Sequence, residues 1–200
     1  MINQKERIVK RLVSNFGPYI KTAQMKAYGL NVYDINSLMS QKRLIRIKRG
    51  VYKWADTSTN TEYEEMLEVS AIVPNGVFCL FTAFSFYELS THIPKEYNIA
   101  ILRSMRKPTL PDFPPIKIVY LSNTRFYHGI IKVNKKIRIY DLEKTICDAV
   151  IYRNKIGIDV VKEVIQSYLR KPQKNLQNLM EYAESLRISK AIGTYLEVLV

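Results

Sequence analysis

Between Leu44 and Trp54 the chain reads LIRIKRGVYKW, apolar and basic residues alternating on either side of one Arg-Gly pair. Such alternation has the period of a β-strand, and Gly at the second turn position supplies the positive φ of a tight hairpin. A two-residue turn at Arg49-Gly50 pairs Lys48 with Val51, Ile47 with Tyr52, Arg46 with Lys53 and Ile45 with Trp54. Cross-strand partners share a face of the sheet. In this register Ile45, Ile47, Tyr52 and Trp54 form an apolar face, and Arg46, Lys48 and Lys53 point the other way. A slip by one residue scrambles that separation, so the pattern constrains the ribbon tightly.

The segment before the ribbon reads as helices. Residues Asn3 to Phe16 carry Ile8, Val9, Leu12, Val13 and Phe16 on one face, closed by Gly17-Pro18. A short helix over Ala23 to Tyr28 is capped by Thr22 and stopped by Gly29. A third begins at Asn31, with Asp34 in the reciprocal position of a capping box. On it Ile35, Leu38 and Met39 fall to one side, and Tyr33, Asn36, Ser37, Ser40 and Gln41 to the other. That outward side is polar but uncharged, and hydroxyl and amide groups can read base edges. Helix, helix-turn-helix and two-stranded ribbon together predict a winged helix-turn-helix over residues 1–58.

Charge supports this division. Residues 1–60 hold 12 Lys/Arg against 3 Asp/Glu, a net +9 out of the whole chain's +13. Basic charge concentrated in one segment is the footprint of a polyanion-binding module. The predicted base-reading residues are Tyr33, Asn36, Ser37, Ser40 and Gln41. The predicted phosphate contacts are Lys21, Thr22, Arg43, Arg46, Lys48, Arg49 and Lys53.

The polar stretch ADTSTNTE from Ala55 to Glu62 reads as a linker to a second domain, residues 59–200. There the spacing predicts helices over Glu62–Ile72, carried by Met66, Leu67, Ser70 and Ala71, and over Phe78–Leu89. Strands follow in EYNIAILRS, IKIVYLS, YHGIIKV and KKIRIYD, the first two separated by KPTLPDFPP. Beyond Asp141 the pattern is helical: roughly 141–153, 157–170, 174–187 and 190–199. The fold class is therefore α+β, a winged helix-turn-helix followed by a mixed α/β domain with a helical tail.

Little in the chain asks for catalysis. Cys79 and Cys147 lie in apolar surroundings without ligand spacing and read as buried free thiols. His92 and His128 have no nucleophile beside them, His92 reading as the end of a helix, and no phosphate-loop, dinucleotide or zinc-protease motif occurs. The acidic run YDLEKTICDA puts Asp141, Thr145 and Asp148 on one helical face. As an enzyme it would be a metal-dependent nuclease site, since Mg²⁺ wants paired carboxylates. The adjacency of Glu143 and Lys144 departs from the acid-x-Lys spacing of such sites. Asp141 as helix N-cap, Glu143 complementing the helix dipole and Asp148 as an ion-pair or hydrogen-bond partner account for the run more simply. The start, MINQKERIVKRLVSNFG, lacks the apolar region of a signal peptide, and no apolar run reaches about 18 residues. A cytoplasmic protein without cofactor or metal is expected.

Taken in order, Arg49–Tyr52 (RGVY), VPNGVF, Ala83–Leu89 (AFSFYEL) and the D-x-E-K-T-x-x-D stretch of Asp141, Glu143, Lys144, Thr145 and Asp148 resemble the AbiEi family. These are antitoxins of type IV, abortive-infection toxin–antitoxin systems, and the likeness spans the full chain; Phe84 stands where the family more often has Leu. The resemblance implies a non-enzymatic repressor that binds inverted repeats in its own promoter. It also implies a second domain that opposes a nucleotidyltransferase-like toxin without needing a stable complex. A third reading, a regulator that senses a small ligand, finds no pocket in the sequence.

Overall fold

A computed structural model describes residues 4–56, 63–133 and 136–199. The chain is α+β and divides into two compact units. The first comprises Met1–Pro74 with Pro108–Asp112, and the second Asn75–Lys107 with Phe113–Val200. The first unit thus runs past residue 58, where the sequence reading drew its boundary. The predicted linker lies outside the described residues except for Ala55 and Asp56.

The first unit runs α1 (Gln4–Phe16), β1 (Tyr19–Lys21), α2 (Thr22–Ala27), α3 (Val32–Ser40), β2 (Leu44–Lys48), β3 (Val51–Trp54) and α4 (Glu64–Ile72). The predicted first residue of α1, Asn3, lies outside the described residues. The helix periodicity of α1 delivers Val9 and Leu12 to a core shared with Ile20, Met25, Ile35, Leu38, Leu44, Tyr52 and Trp54. Each such buried side chain contributes about 1.5–3 kcal/mol. The capping box of α3 forms in full: Asp34 N–H donates to Asn31 Oδ1 (2.9 Å), and Asn31 N–H to Asp34 Oδ2 (3.0 Å). Thr22 is the first residue of α2 rather than its cap. The cap is Lys21, whose N–H donates to Gln24 Oε1 (2.8 Å), while Thr22 N–H donates to the Gly50 carbonyl (3.0 Å).

The ribbon forms with Gly50 at φ +84° in its turn, but not in the predicted register. Lys48 does pair with Val51; then Ile47 bulges out, so Arg46 pairs with Tyr52, Ile45 with Lys53 and Leu44 with Trp54. A bulge sets two residues against one and shifts everything beyond it. Leu44 takes the core position predicted for Ile45, which is 49% exposed. β1, a strand the sequence did not reveal, pairs antiparallel with β3 and gives the sheet order β1-β3-β2.

In α4 the buried residues are Met66, Val69 and Ile72 rather than the predicted Met66, Leu67, Ser70 and Ala71. Glu68 of this helix accepts the Tyr19 hydroxyl at 3.1 Å.

The second unit holds a five-stranded sheet, order β6-β5-β4-β8-β7, from β4 (Val77–Phe78), β5 (Tyr97–Leu102), β6 (Ile116–Leu121), β7 (Ile130–Lys132) and β8 (Arg138–Tyr140). β5 runs parallel to β6 and β4 to β8; the other two pairs are antiparallel. The predicted helix at Phe78 begins only at Leu80, because Val77 and Phe78 join the sheet; α5 spans Leu80–Phe86. After it come α6 (Asn123–Phe126), α7 (Leu142–Ile151), α8 (Arg153–Ile156), α9 (Ile158–Arg170), α10 (Leu176–Ser185) and α11 (Ser189–Leu199). Phe84, Tyr140, Ile146, Val150, Val164, Tyr168 and Leu179 share its core. Cys79 and Cys147 are buried free thiols there, and burial pushes the Cys147 thiol up to about 12. No helix of the described residues is long and apolar enough to cross a membrane.

Candidate nucleic-acid interface

The outward side of α3 stands where its periodicity put it. Tyr33 is 77% exposed, and Asn36, Ser40 and Gln41 are exposed too. Their hydrogen-bonding capacity differs. Ser37 is half-buried and its Oγ accepts from Gln41 Nε2 (3.2 Å), while Ser40 Oγ donates back to the Ser37 carbonyl (2.8 Å). The Asn36 side chain has no hydrogen-bond partner among the described residues, which leaves its amide and the Tyr33 ring the readiest groups on this face. The Lys5 ammonium lies 5.9 Å from the Tyr33 ring centroid.

Of the seven expected phosphate contacts, the six cations separate into two groups. Lys21, Arg46 and Arg49 are exposed and form no ion pair with a described residue. Both Lys21 and Lys48 lie opposite Val51, on its two sides, so β1 and the hairpin bring their positive charges together. Thr22 is half-buried, its N–H committed to the hairpin turn.

The other three cations have partners of their own. Lys53 Nζ lies 2.5 Å from Glu64 Oε1, and Lys48 Nζ donates to the Ile72 carbonyl (2.6 Å), so α4 occupies both. A cation at the last carbonyls of a helix is favoured by its dipole. Burial, and then the nearby Lys21 charge, push the Lys48 amine below its ordinary range. Arg43 lies 3.2 Å from Glu6 and 3.3 Å from Asp56. No local pattern signals the two α4 engagements, because the partners of Lys53 and Lys48 are 11 and 24 residues away.

Below α3 the cap also holds an ion pair between Lys5 and Asp34. The hydrogen bond from Lys5, followed by that from Asn31, keeps the Asp34 carboxyl below its usual range. A depressed aspartate stabilises the fold above its unfolded pKa, and that contribution is lost as pH falls through the folded value. Trp54, the single tryptophan, is buried in this unit and reports on it. Its emission is expected to show the unit weakening below about pH 4, and Asp34→Asn to flatten that acid limb.

The acidic run of the second unit is built into the interior. Asp141 caps α7: its Oδ1 accepts from Lys144 N–H (2.8 Å) and its Oδ2 from the Tyr182 hydroxyl (2.8 Å). Glu143 stands in the first turn of α7, as its dipole reading expected, and is also buried, accepting from the Tyr168 hydroxyl (3.2 Å) and Asn175 N–H (2.9 Å). Lys144 and Asp148 form a buried pair at 2.6 Å, with the ammonium 4.1 Å from the Tyr140 ring centroid. Desolvation raises the Asp148 and Asp141 carboxyls, partly opposed by these donors. Among the described residues no three His, Cys, Asp or Glu side chains group as metal ligands. His92 follows α5 without ending a helix and packs its ring 4.7 Å from Phe81; His128 packs edge-on to Tyr182.

No family model matches the chain, and no curated protein matches it. Among solved structures it is similar to the crystal structure of RV2827C protein from Mycobacterium tuberculosis. That likeness covers 98% of this chain and 82% of the other, with a TM-score of 0.52 and 11% sequence identity. At that identity the two share a fold.

Proposed function

We propose that the chain is a DNA-binding repressor whose first unit is a winged helix-turn-helix. We further propose, on the resemblance of its motifs to the AbiEi family, that it is the antitoxin of a type IV toxin–antitoxin system. The observation that carries the DNA reading is an uncovered polar face on α3 in the same unit as three cations, Lys21, Arg46 and Arg49, that form no ion pair with a described residue. The order α1-β1-α2-α3-β2-β3 supports it, with α3 as the helix that enters the major groove and β2–β3 as the wing. In this reading Tyr33, Asn36 and Gln41 read bases, and these three cations meet phosphate.

The test is fluorescence anisotropy of the full chain on duplex DNA from upstream of its own reading frame, across a salt series. Arg49→Ala is expected to weaken binding to every sequence and to reduce the salt slope by about one unit. Asn36→Ala or Gln41→Ala should cost about 1–3 kcal/mol of discrimination and spare non-specific binding. Lys48→Ala and Lys53→Ala should change stability more than slope, since α4 holds both amines. Equal loss of specific and non-specific binding in the α3 variants would remove that face from recognition. The antitoxin half is tested by co-expressing the chain with the product of an adjacent nucleotidyltransferase-like gene; growth arrest unrelieved by the full chain would end it.

A further inference from the structure

The second unit contains a cavity of about 600 Å³ running along the sheet-edge strand β6 and over α8. Its volume lies within the range of about 300–1,000 Å³ typical of small-molecule sites. Arg103, Lys117, Arg125 and Lys155 all line it, from separate parts of the chain, and no carboxylate does. Lys117 shares its charge with Glu96 at 2.9 Å. Arg103, Arg125 and Lys155 form no ion pair or side-chain hydrogen bond with a described residue. The Asp148 carboxylate acts on Arg125 from outside the lining, but among the described residues the lining itself offers these cations no counter-charge, and an anion between them relieves their mutual repulsion.

A second observation points the same way. Asn98, only 2% exposed, lines this cavity. Its Oδ1 is committed to Phe81 N–H (3.1 Å), its N–H to Thr82 Oγ1 (2.8 Å) and its carbonyl to Cys79 N–H (3.0 Å). That leaves the side-chain NH₂, two donors, without a protein acceptor among the described residues. Buried donors of this kind cost free energy unless something in the cavity accepts from them. The aromatic walls are Phe81, Tyr120 and Tyr152, with the Lys155 ammonium 5.6 Å from the Tyr152 ring centroid.

We propose that this cavity binds a nucleoside polyphosphate. The guanidinium forks of Arg103 and Arg125 suit phosphate oxygens, which they can grip with two parallel hydrogen bonds. The tyrosines offer a face for a planar base, and the Asn98 amide donates to an acceptor on its edge. Free inorganic phosphate would leave the aromatic wall and Asn98 unused, and a duplex is too wide for the cavity.

The experiment is titration of the full-length protein with a fluorescent ATP or GTP analogue, with competition by unlabelled ATP, inorganic tripolyphosphate and a single-stranded oligonucleotide. Saturable binding is expected, displaced by ATP and weakened at least tenfold by Arg125→Ala and by Lys155→Glu. Lys155 is exposed, so its reversal leaves the core intact if Arg125→Ala fails to fold. Arg49→Glu, in the first unit, is expected to leave the binding unchanged. No saturable binding overturns the proposal, as does equal binding by Lys155→Glu or equal weakening by Arg49→Glu. Displacement by the oligonucleotide but not by ATP, or by tripolyphosphate as readily as by ATP, overturns it too.

Discussion

Replacing Asp148 with alanine is expected to lower the unfolding free energy by about 3–5 kcal/mol. Lys144 Nζ and Asp148 Oδ1 lie 2.6 Å apart with side-chain exposures of 0% and 3%. Removing the carboxylate leaves an ammonium that cannot reach water, and the Tyr140 ring face 4.1 Å away offsets only a part of that cost. The measurement is urea denaturation of the full chain followed by far-UV circular dichroism. Lys144→Met/Asp148→Leu, which removes both charges at similar volume, is expected to recover most of the loss, because a buried pair is dear to break but not to replace. A loss below about 1 kcal/mol would place the pair in water. The same substitution is the natural knockout for a nuclease centred on this run, so stability must be measured beside any cleavage assay. A variant that unfolds says nothing about chemistry.

What could be read from the residues follows the range of the interaction. The α3 capping box and the Asp141 cap join groups three residues apart, and both formed as their sequence predicted. The alternation of the ribbon fixed its turn but not its register, since the Ile47 bulge answers to what packs on each face: the core takes Leu44 rather than Ile45. β1 is only three residues long and is a strand because β3 lies beside it. Net charge concentrates in residues 1–60, +9 of the chain's +13. Which cations remain available depended on α4, whose Glu64 side chain and Ile72 carbonyl take Lys53 and Lys48.

The second unit was legible as elements and opaque as a site. The spacing of Lys144 and Asp148 makes them neighbours on a helix, yet only the packing of α9 and α10 against α7 turns that surface motif into a buried network. The cavity had no sequence signal at all. Arg103 follows β5, Lys117 lies on β6, Arg125 on α6 and Lys155 on α8, and only the topology gathers them. A reading that found no pocket in the sequence therefore had no local pattern to find.

Gly129→Ala is expected to cost about 3 kcal/mol, through the same network approached from the opposite side. Gly129 has φ +63°, where an L residue costs about 1–2 kcal/mol. A Cβ there would sit 2.6 Å from Lys144 Cβ and 2.8 Å from Asp141 Oδ1. Neither neighbour is a flexible end that can swing aside. Lys144 is held by its buried pair, and the Asp141 carboxylate by Lys144 N–H and Tyr182. Overpacking of this kind adds about 1–3 kcal/mol. The backbone cannot easily retreat either, because the Gly129 carbonyl accepts Asp141 N–H at 2.6 Å. Since Gly129→Ala and Asp148→Ala both act on Lys144, their combination should fall short of the sum by about 0.5–3 kcal/mol. Strict additivity in urea denaturation would mean that the α7 cap and the buried ion pair are independent, and that the run from Asp141 to Asp148 is not one network.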